Sequence, residues 1–253
     1  MSFDPFGDFE TRGYLRNLFG EKDPAIVKRL EHSAFVAGLP EAFQYLNSVP
    51  RLCYEDVLKT HRILFGDLYP WAGQDRMQTA PEIAVSKGPV LFAHPRDARA
   101  AVAYGLTLGT DPQTMSARPG EVMGYLAFGH PFLDGNGRTI MVVHATLAER
   151  AGFSLEWTAT SKNAYLEALT KEIAQPTAKH LDAYLKPFLR PAVGIDKLTE
   201  HLVSTRGLDG SSMEDNRVLG KVSDPVVQAQ YAELRLQRQD HSREYDGDDD
   251  RNR

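Results

Sequence analysis

Between residues 1 and 190 one stretch departs from helical spacing: Ile83-Ala-Val-Ser-Lys-Gly-Pro-Val-Leu-Phe92. Its two short β-favouring runs flank Lys87-Gly88-Pro89, which predicts a small hairpin. A single hairpin cannot supply a sheet large enough to cover a core. The rest of this region must therefore pack helix on helix, and the expected fold class is all-α with a small β-hairpin flap.

The helices are marked by their starts and their apolar spacing. Asp23-Pro24 pairs a capping residue with a proline at the first helical position, followed by Ile26, Val27, Leu30 and Ala34, with Gly38 as the expected stop. Val57, Leu58, His61, Leu64, Phe65 and Leu68 predict a second helix. Pro95 and Pro119 open two more. A fifth runs from about Arg138 to Ala151 before Gly152, and a sixth from Ser161 to about Ala174. A seventh starts at Thr177 as cap. Asp224-Pro225 predicts a further amphipathic helix to Arg238.

The expected organisation is a helical domain over 1–193, a partly helical extension over 194–239 and an acidic tail over 240–253. The tail holds six acidic residues against three arginines and no aliphatic residue, so it is expected to stay disordered. The polar run 204–216 reads as a loop or linker. A formal net charge of −5 argues against nucleic acid as a partner of the whole chain. No apolar run approaches the roughly 20 residues of a membrane span, and the N-terminus lacks a signal-peptide pattern, so the expected location is cytoplasmic, with no membrane partner. The single cysteine, Cys53, has no partner in the chain and is expected to be a small buried residue.

The chemistry is concentrated in His130-Pro-Phe-Leu-Asp-Gly-Asn-Gly-Arg138, between the fourth and fifth helices. Gly135 and Gly137 permit backbone angles closed to other residues, so successive N–H groups can line one concavity. That concavity opens into a helix N-terminus, which favours an anion. Arg138 in the first helical turn is slightly disfavoured by the dipole unless an anion such as a phosphate joins them. Asp134 is a hard oxygen ligand, and Mg²⁺ is commonly held by one or two carboxylates plus substrate phosphates. His130 suits general-base duty. Together they suggest attack on a nucleotide phosphate by a hydroxyl that His130 deprotonates.

This segment closely resembles the signature of the Fic family (Fic/Doc, or Fido, proteins), His-x-Phe-x-Asp/Glu-Gly-Asn-Gly-Arg-x-x-Arg. Gly13-Tyr14-Leu15-Arg16-Asn17, the Leu68–Arg76 stretch and the hairpin after it, Gly152-Phe153 and Tyr165–Leu169 extend the resemblance over residues 10–190. It implies transfer of AMP from ATP, with Mg²⁺ required and pyrophosphate released, to a hydroxyl side chain of a target protein. On this resemblance His130 is the base, Asp134 the metal ligand, and Gly135, Asn136 and Gly137 the phosphate nest. Arg138 binds phosphate oxygens, and Tyr165 lies near the adenine pocket. The flap residues Ile83, Val85, Lys87 and Leu91 dock the target by strand addition.

Three comparisons with the family refine the resemblance. Gly137 stands where the phosphorylating Doc branch carries lysine, which favours nucleotidyl transfer. Met141 stands where the signature ends in arginine, so one positive charge of the cradle is missing, with Arg76 or Lys87 as candidate substitutes. The chain contains no Ser/Thr-x-x-x-Glu-Gly/Asn stretch, which points to a separate small antitoxin, as in a toxin–antitoxin pair, or to no such inhibitor. A transferase using another nucleotide or a phosphocholine donor is the enzymatic alternative. A weakly active Fic-fold binding scaffold is the non-enzymatic one. His61, His94, His144 and His180 match no compact metal motif and are expected on helix surfaces or in packing. Trp71 and Trp157 are expected in the core.

Overall fold

The computed structural model describes residues 16–205 and 217–249. Helices dominate: α1 (Pro24–Ser48), α2 (Tyr54–Phe65), the short α3 (Arg76–Thr79), α4 (Pro95–Thr110), α5 (Pro112–Ala117), α6 (Pro119–Gly129), α7 (Asn136–Arg150), α8 (Lys162–Ala174), α9 (His180–Leu185), α10 (Ile195–Val203) and α11 (Pro225–Asp249). The expected flap is present as β1 (Ile83–Lys87) and β2 (Val90–Leu91), with Gly88 at φ +55° in the turn. A two-stranded pair, β3 (Phe153–Leu155) with β4 (Leu189–Pro191), closes the far end of α7. Among the described residues no helix is long and apolar enough to cross a membrane.

The core forms around α6 and α7, whose faces are buried nearly all round. Val122, Met123, Leu126, Ile140, Val142, Val143 and Leu147 meet Phe35, Leu39, Leu64 and Phe65 of α1 and α2. Helices apolar on all sides belong in the middle of a bundle. The two ends that face each other, the C-terminus of α6 and the N-terminus of α7, are joined by the His130–Gly135 loop, so the chemistry-bearing segment is held by the most buried helices.

Several boundaries differ from the sequence expectations. Gly38 does not stop α1: a Cβ there would lie 2.9 Å from the Ile63 carbonyl oxygen, so glycine instead allows α1 and α2 to approach closely. The helix continues through Pro40, because Ala42, Phe43 and Leu46 bury against the core beyond it. Proline removes one ladder donor, and the buried apolar stripe outweighs that loss. Helix α9 begins at His180, after a 3₁₀ turn over Pro176–Ala178 and a left-handed Lys179, rather than from Thr177. Cys53 is exposed; it stands before α2 with its backbone N–H donating to Asp56 Oδ2 at 2.7 Å.

The extension is a packed element. Leu198 and Leu202 anchor α10 in the main core. A strand absent from the sequence expectations, β5 (Arg217–Lys221), pairs antiparallel with β1 to give the sheet order β2-β1-β5. Val227 and Tyr231 of α11 then pack on Ala84 of the flap. The chain from 240 was expected to be disordered, yet α11 continues to Asp249, although this stretch holds one Arg and one Glu among mostly weak helix formers. Residues 250–253, 206–216 and Gly13 to Leu15 lie outside the described residues.

Candidate active site

The loop begins with His130, the residue that ends α6 in the left-handed region at φ 42° and ψ 57°. It ends with Gly135, which precedes α7 at φ +74°. Gly135 is required on two counts. Its backbone angle is one that side-chain-bearing residues rarely adopt, and a Cβ would lie 2.7 Å from the Phe65 ring. Asn136 is a brace: its side chain accepts from Phe132 N–H at 2.9 Å and donates to Phe132 O at 2.8 Å, pinning the loop from within. Gly137 is helical, contrary to the expectation that it needs special backbone angles, and a Cβ there would meet no atom within 4 Å. Its value to the site is open space above the start of α7.

No side chain caps α7 and no acidic residue stands in its first turn. The N–H groups at 136–138 have no place in the helix ladder, so this end keeps the donors and dipole that suit an anion. Arg138 lies beside them. Its Nη2 is 3.1 Å from Glu31 Oε2, its guanidinium lies 5.0 Å from the Phe65 ring centroid, and its buried Nη1 has no hydrogen-bond partner.

Four residues from outside the loop complete the arrangement, and of these the sequence singled out only Arg76, as a candidate substitute for the missing cradle arginine. Glu31, fully buried on α1, accepts from Tyr69 Oη at 2.6 Å as well as facing Arg138. Lys28, one turn earlier, places Nζ 3.5 Å from both Glu31 Oε2 and Asp134 Oδ2. His61 donates from Nε2 to the Asp134 carbonyl at 3.0 Å, its Nδ1 being occupied as acceptor for the Gly73 N–H at 2.9 Å. It also stacks on Phe132 with centroids 3.7 Å apart. Arg76 sits behind His130. The signal that could have found Glu31 and Lys28 is their spacing on α1, but nothing local says which face meets the loop.

Electrostatics separate the candidate base, His130, from the candidate metal ligand, Asp134. Burial, together with the charges of Arg76 and Lys87, pushes His130 well below the ordinary histidine range against the opposing pull of Asp134. The imidazole is therefore neutral at physiological pH, and its buried Nε2 has no hydrogen-bond partner. Burial opposes ionisation of Asp134, but Lys28, Arg138 and the Gly135 N–H outweigh it and bring the carboxyl down to about 2. Burial and the neighbouring Asp134 charge raise Glu31 against Arg138 and Lys28.

The other expected site residues are spread more widely. Tyr165 lies on α8, edge-on to Trp157 at 5.4 Å. Val85 is buried, Ile83 packs partly against the core and Leu91 against the small cluster of Ala84, Val227 and Tyr231. The flap closes on the loop through Phe92, whose ring stacks on His130 with centroids 3.7 Å apart. The flap was expected to take a target strand, and the outer edge of β1 is already paired with β5 through Ile83↔Lys221, Ala84↔Gly220, Val85↔Val218 and Ser86↔Arg217. Arg76 directs Nε and Nη2 to carbonyl groups behind the loop, and its buried Nη1 has no hydrogen-bond partner. Met141 is buried in the core.

Asp134 is a single ionised carboxylate with Oδ2 already drawing a cation, Lys28, towards it. Among the described residues no three or more His, Cys, Asp or Glu side chains converge as a metal cage. This donor set fits a Mg²⁺ that shares its coordination with substrate phosphates.

Residues 51–148 match the model of the Fic/DOC family. Protein adenylyltransferase VbhT of Bartonella schoenbuchensis is 33% identical over 172 residues, covering 62% of this chain and 33% of that protein. Protein adenylyltransferase Fic of Nematostella vectensis is 26% identical over 176 residues, covering 62% of this chain and 40% of that protein. The chain thus spans well under half the length of these two relatives. Among solved structures, an N-terminal Fic domain from Bartonella sp. AR 15-3 superposes with a TM-score of 0.59 at 16% identity, covering 75% of this chain and 94% of that one. The BepC protein of Bartonella tribocorum, with bound AMPPNP, gives 0.56 at 18% identity over 70% of this chain and 92% of that one. At those identities the structures establish a shared fold, and within it residues 51–148 are the segment that matches the Fic/DOC family model.

Proposed function

We propose that this chain is a protein adenylyltransferase that moves AMP from ATP to a Ser, Thr or Tyr hydroxyl of a target protein and releases pyrophosphate. The observation that carries this reading is His130: a neutral, buried imidazole whose Nε2 is unpartnered, in the same loop as an uncapped helix N-terminus and Arg138. The similarity to protein adenylyltransferases, and the AMPPNP and ADP bound in structures of similar proteins, support ATP as the donor.

In this mechanism His130 Nε2 takes the hydroxyl proton as the target oxygen attacks the α-phosphorus. The new O–P bond forms as the bond from that phosphorus to the bridging oxygen breaks, and the electron pair leaves with pyrophosphate. The N–H groups of residues 136–138 and Arg138 Nη1 hold phosphate oxygens, and the space above Gly137 admits them. Asp134 would hold Mg²⁺, which supplies charge neutralisation along the phosphates. Tyr165 would border the base. The target is held at the flap by strand addition. With β1 paired to β5, the flap strand that remains at a sheet edge is β2, at Val90 and Leu91, β5 forming the opposite edge.

The test is transfer of labelled AMP from ATP and Mg²⁺ to proteins of a cell lysate by wild type and His130→Ala. General-base catalysis contributes about 10²–10⁴-fold, so the variant should lose labelling by that order while still binding ATP. Equal labelling by both proteins would remove the mechanism.

A further inference from the structure

We propose that Arg76 is a positioning residue for His130, locking the base and the end of the flap into one rigid corner. This rests on the reading of His130 as the base.

Helix α6 ends at Gly129, and the last carbonyl groups of a helix have no partner within it. Three consecutive carbonyls at this end turn to residue 76. Arg76 Nη2 is 3.5 Å from Gly129 O, Nε donates to His130 O at 2.7 Å, and the Arg76 backbone N–H donates to Pro131 O at 2.7 Å. The same Nη2 donates to Ala93 O, at the exit of the flap, at 2.7 Å. The Ala93 N–H in turn donates to Phe128 O at 2.9 Å. A cation at a helix C-terminus also complements the dipole.

His130 needs such support. It carries a side chain in the left-handed region, a conformation that persists where the surroundings over-determine it. Its ring is held on one face by Phe92, which immediately precedes Ala93. Arg76 therefore fixes the backbone of the base and the backbone of the residue next to the ring stacked on it.

Arg76 is itself an unusual residue to bury. It is 0% exposed, and among the described residues it forms no ion pair with a carboxylate. Burial lowers it to about 10, still well above physiological pH, so it stays charged. The Tyr231 phenol of α11 lies close enough to interact with the guanidinium, without a well-formed hydrogen bond. A buried charge facing carbonyl groups, in a place where a neutral residue would fill space, has a function that packing does not supply. His130 is faced by Arg76 from α3, by Lys87 from the flap and by Asp134 from its own loop. Removing the Arg76 charge should therefore let the imidazole protonate at higher pH.

The experiment compares wild type, Arg76→Lys and Arg76→Gln by three readouts: kcat for AMP transfer, ATP affinity by calorimetry, and the titration of the His130 imidazole by NMR. Arg76→Gln should lower kcat about 100-fold, as expected for a displaced catalytic group, with ATP affinity within about twofold of wild type. Its His130 should titrate at higher pH, and the acid limb of the kcat profile should move with it. Arg76→Lys keeps the charge, so its His130 titration should match wild type while kcat recovers part of the loss. Wild-type kcat in a folded Arg76→Gln, or parallel loss of kcat and ATP affinity, overturns the proposal. If Arg76→Gln does not fold, Arg76→Lys decides alone: a kcat deficit with intact affinity and titration supports the role, and any other pattern overturns it. The NMR readout needs no transfer. A shifted His130 titration in a chain that transfers nothing would thus reject the adenylyltransferase reading and leave the placement of Arg76 standing.

Discussion

Glu31 on α1 holds Arg138 on α7, with Oε2 3.1 Å from Nη2 and the carboxylate fully buried. The arginine is oriented but not saturated, since Nη1 keeps a donor without a partner. The Tyr69 hydroxyl and Lys28 fix the glutamate in turn. The orientation of the Arg138 charge at the start of α7 is therefore set by a residue far from it in the chain.

Glu31→Gln retains the shape and one acceptor for Tyr69 but removes the counter-charge of Arg138. A hydrogen bond to a charged group contributes about 1.5–3 kcal/mol, so unfolding free energy in urea should fall by about that amount. An unchanged urea midpoint would show that water, rather than Glu31, satisfies Arg138.

Asp134 sets a pH dependence with a definite sign. Its folded value of about 2 lies below the ordinary value near 3.9 for an unfolded aspartate. The stabilisation it supplies is complete above about pH 4 and is lost as pH falls towards 2. Asp134→Asn should flatten the stability profile over that window in urea titrations between pH 2 and 5. The same variant should need more Mg²⁺ for transfer, read as a raised Mg²⁺ midpoint in the labelling assay.

Met141 is buried one turn beyond Arg138, on a face it shares with that residue. Met141→Arg inserts a charge into the packed core and should lower stability by about 1–3 kcal/mol. If the new guanidinium reaches the cradle, ATP with Mg²⁺ should raise Tm more in the variant than in wild type. Equal ligand-induced shifts in a thermal melt would show that the cradle is complete with Arg138, the helix N-terminus and Mg²⁺.

Val227 and Tyr231 cover Ala84 and hold β5 against the flap. Val227→Asp places a charge in that contact and should release the strand. Hydrogen exchange should then quicken at residues 83–87 with little change in α6 and α7. Unchanged protection of β1 would mean that β5 pairs independently of α11.

The segment His130–Arg138 was legible because its properties are local. Gly135 dictates a left-handed turn, Arg138 follows a helix start, and a contiguous loop needs no partner to be recognised. The flap was legible for the same reason, as a change of period from helix to strand. The helix starts at Pro24, Pro95 and Pro119 were likewise carried by their own residues.

Elsewhere local rules met tertiary ones and lost. Gly38 reads as a stop and acts as a contact point, because only the approach of α2 gives its missing side chain a purpose. Arg217–Lys221 has few strand signals, and it becomes a strand because β1 offers an open ladder. Glu31, Lys28 and His61 carry no mark that separates them from any other polar residue on a helix, and Arg76 was marked only as a candidate cradle cation. The sequence determined where the glycine turn before α7 is, since backbone angles and helix termini are properties of neighbouring residues. Tertiary structure alone decided which charges surround that turn and which carbonyls Arg76 binds, since burial and Coulomb interactions depend on distance in space and not on separation along the chain.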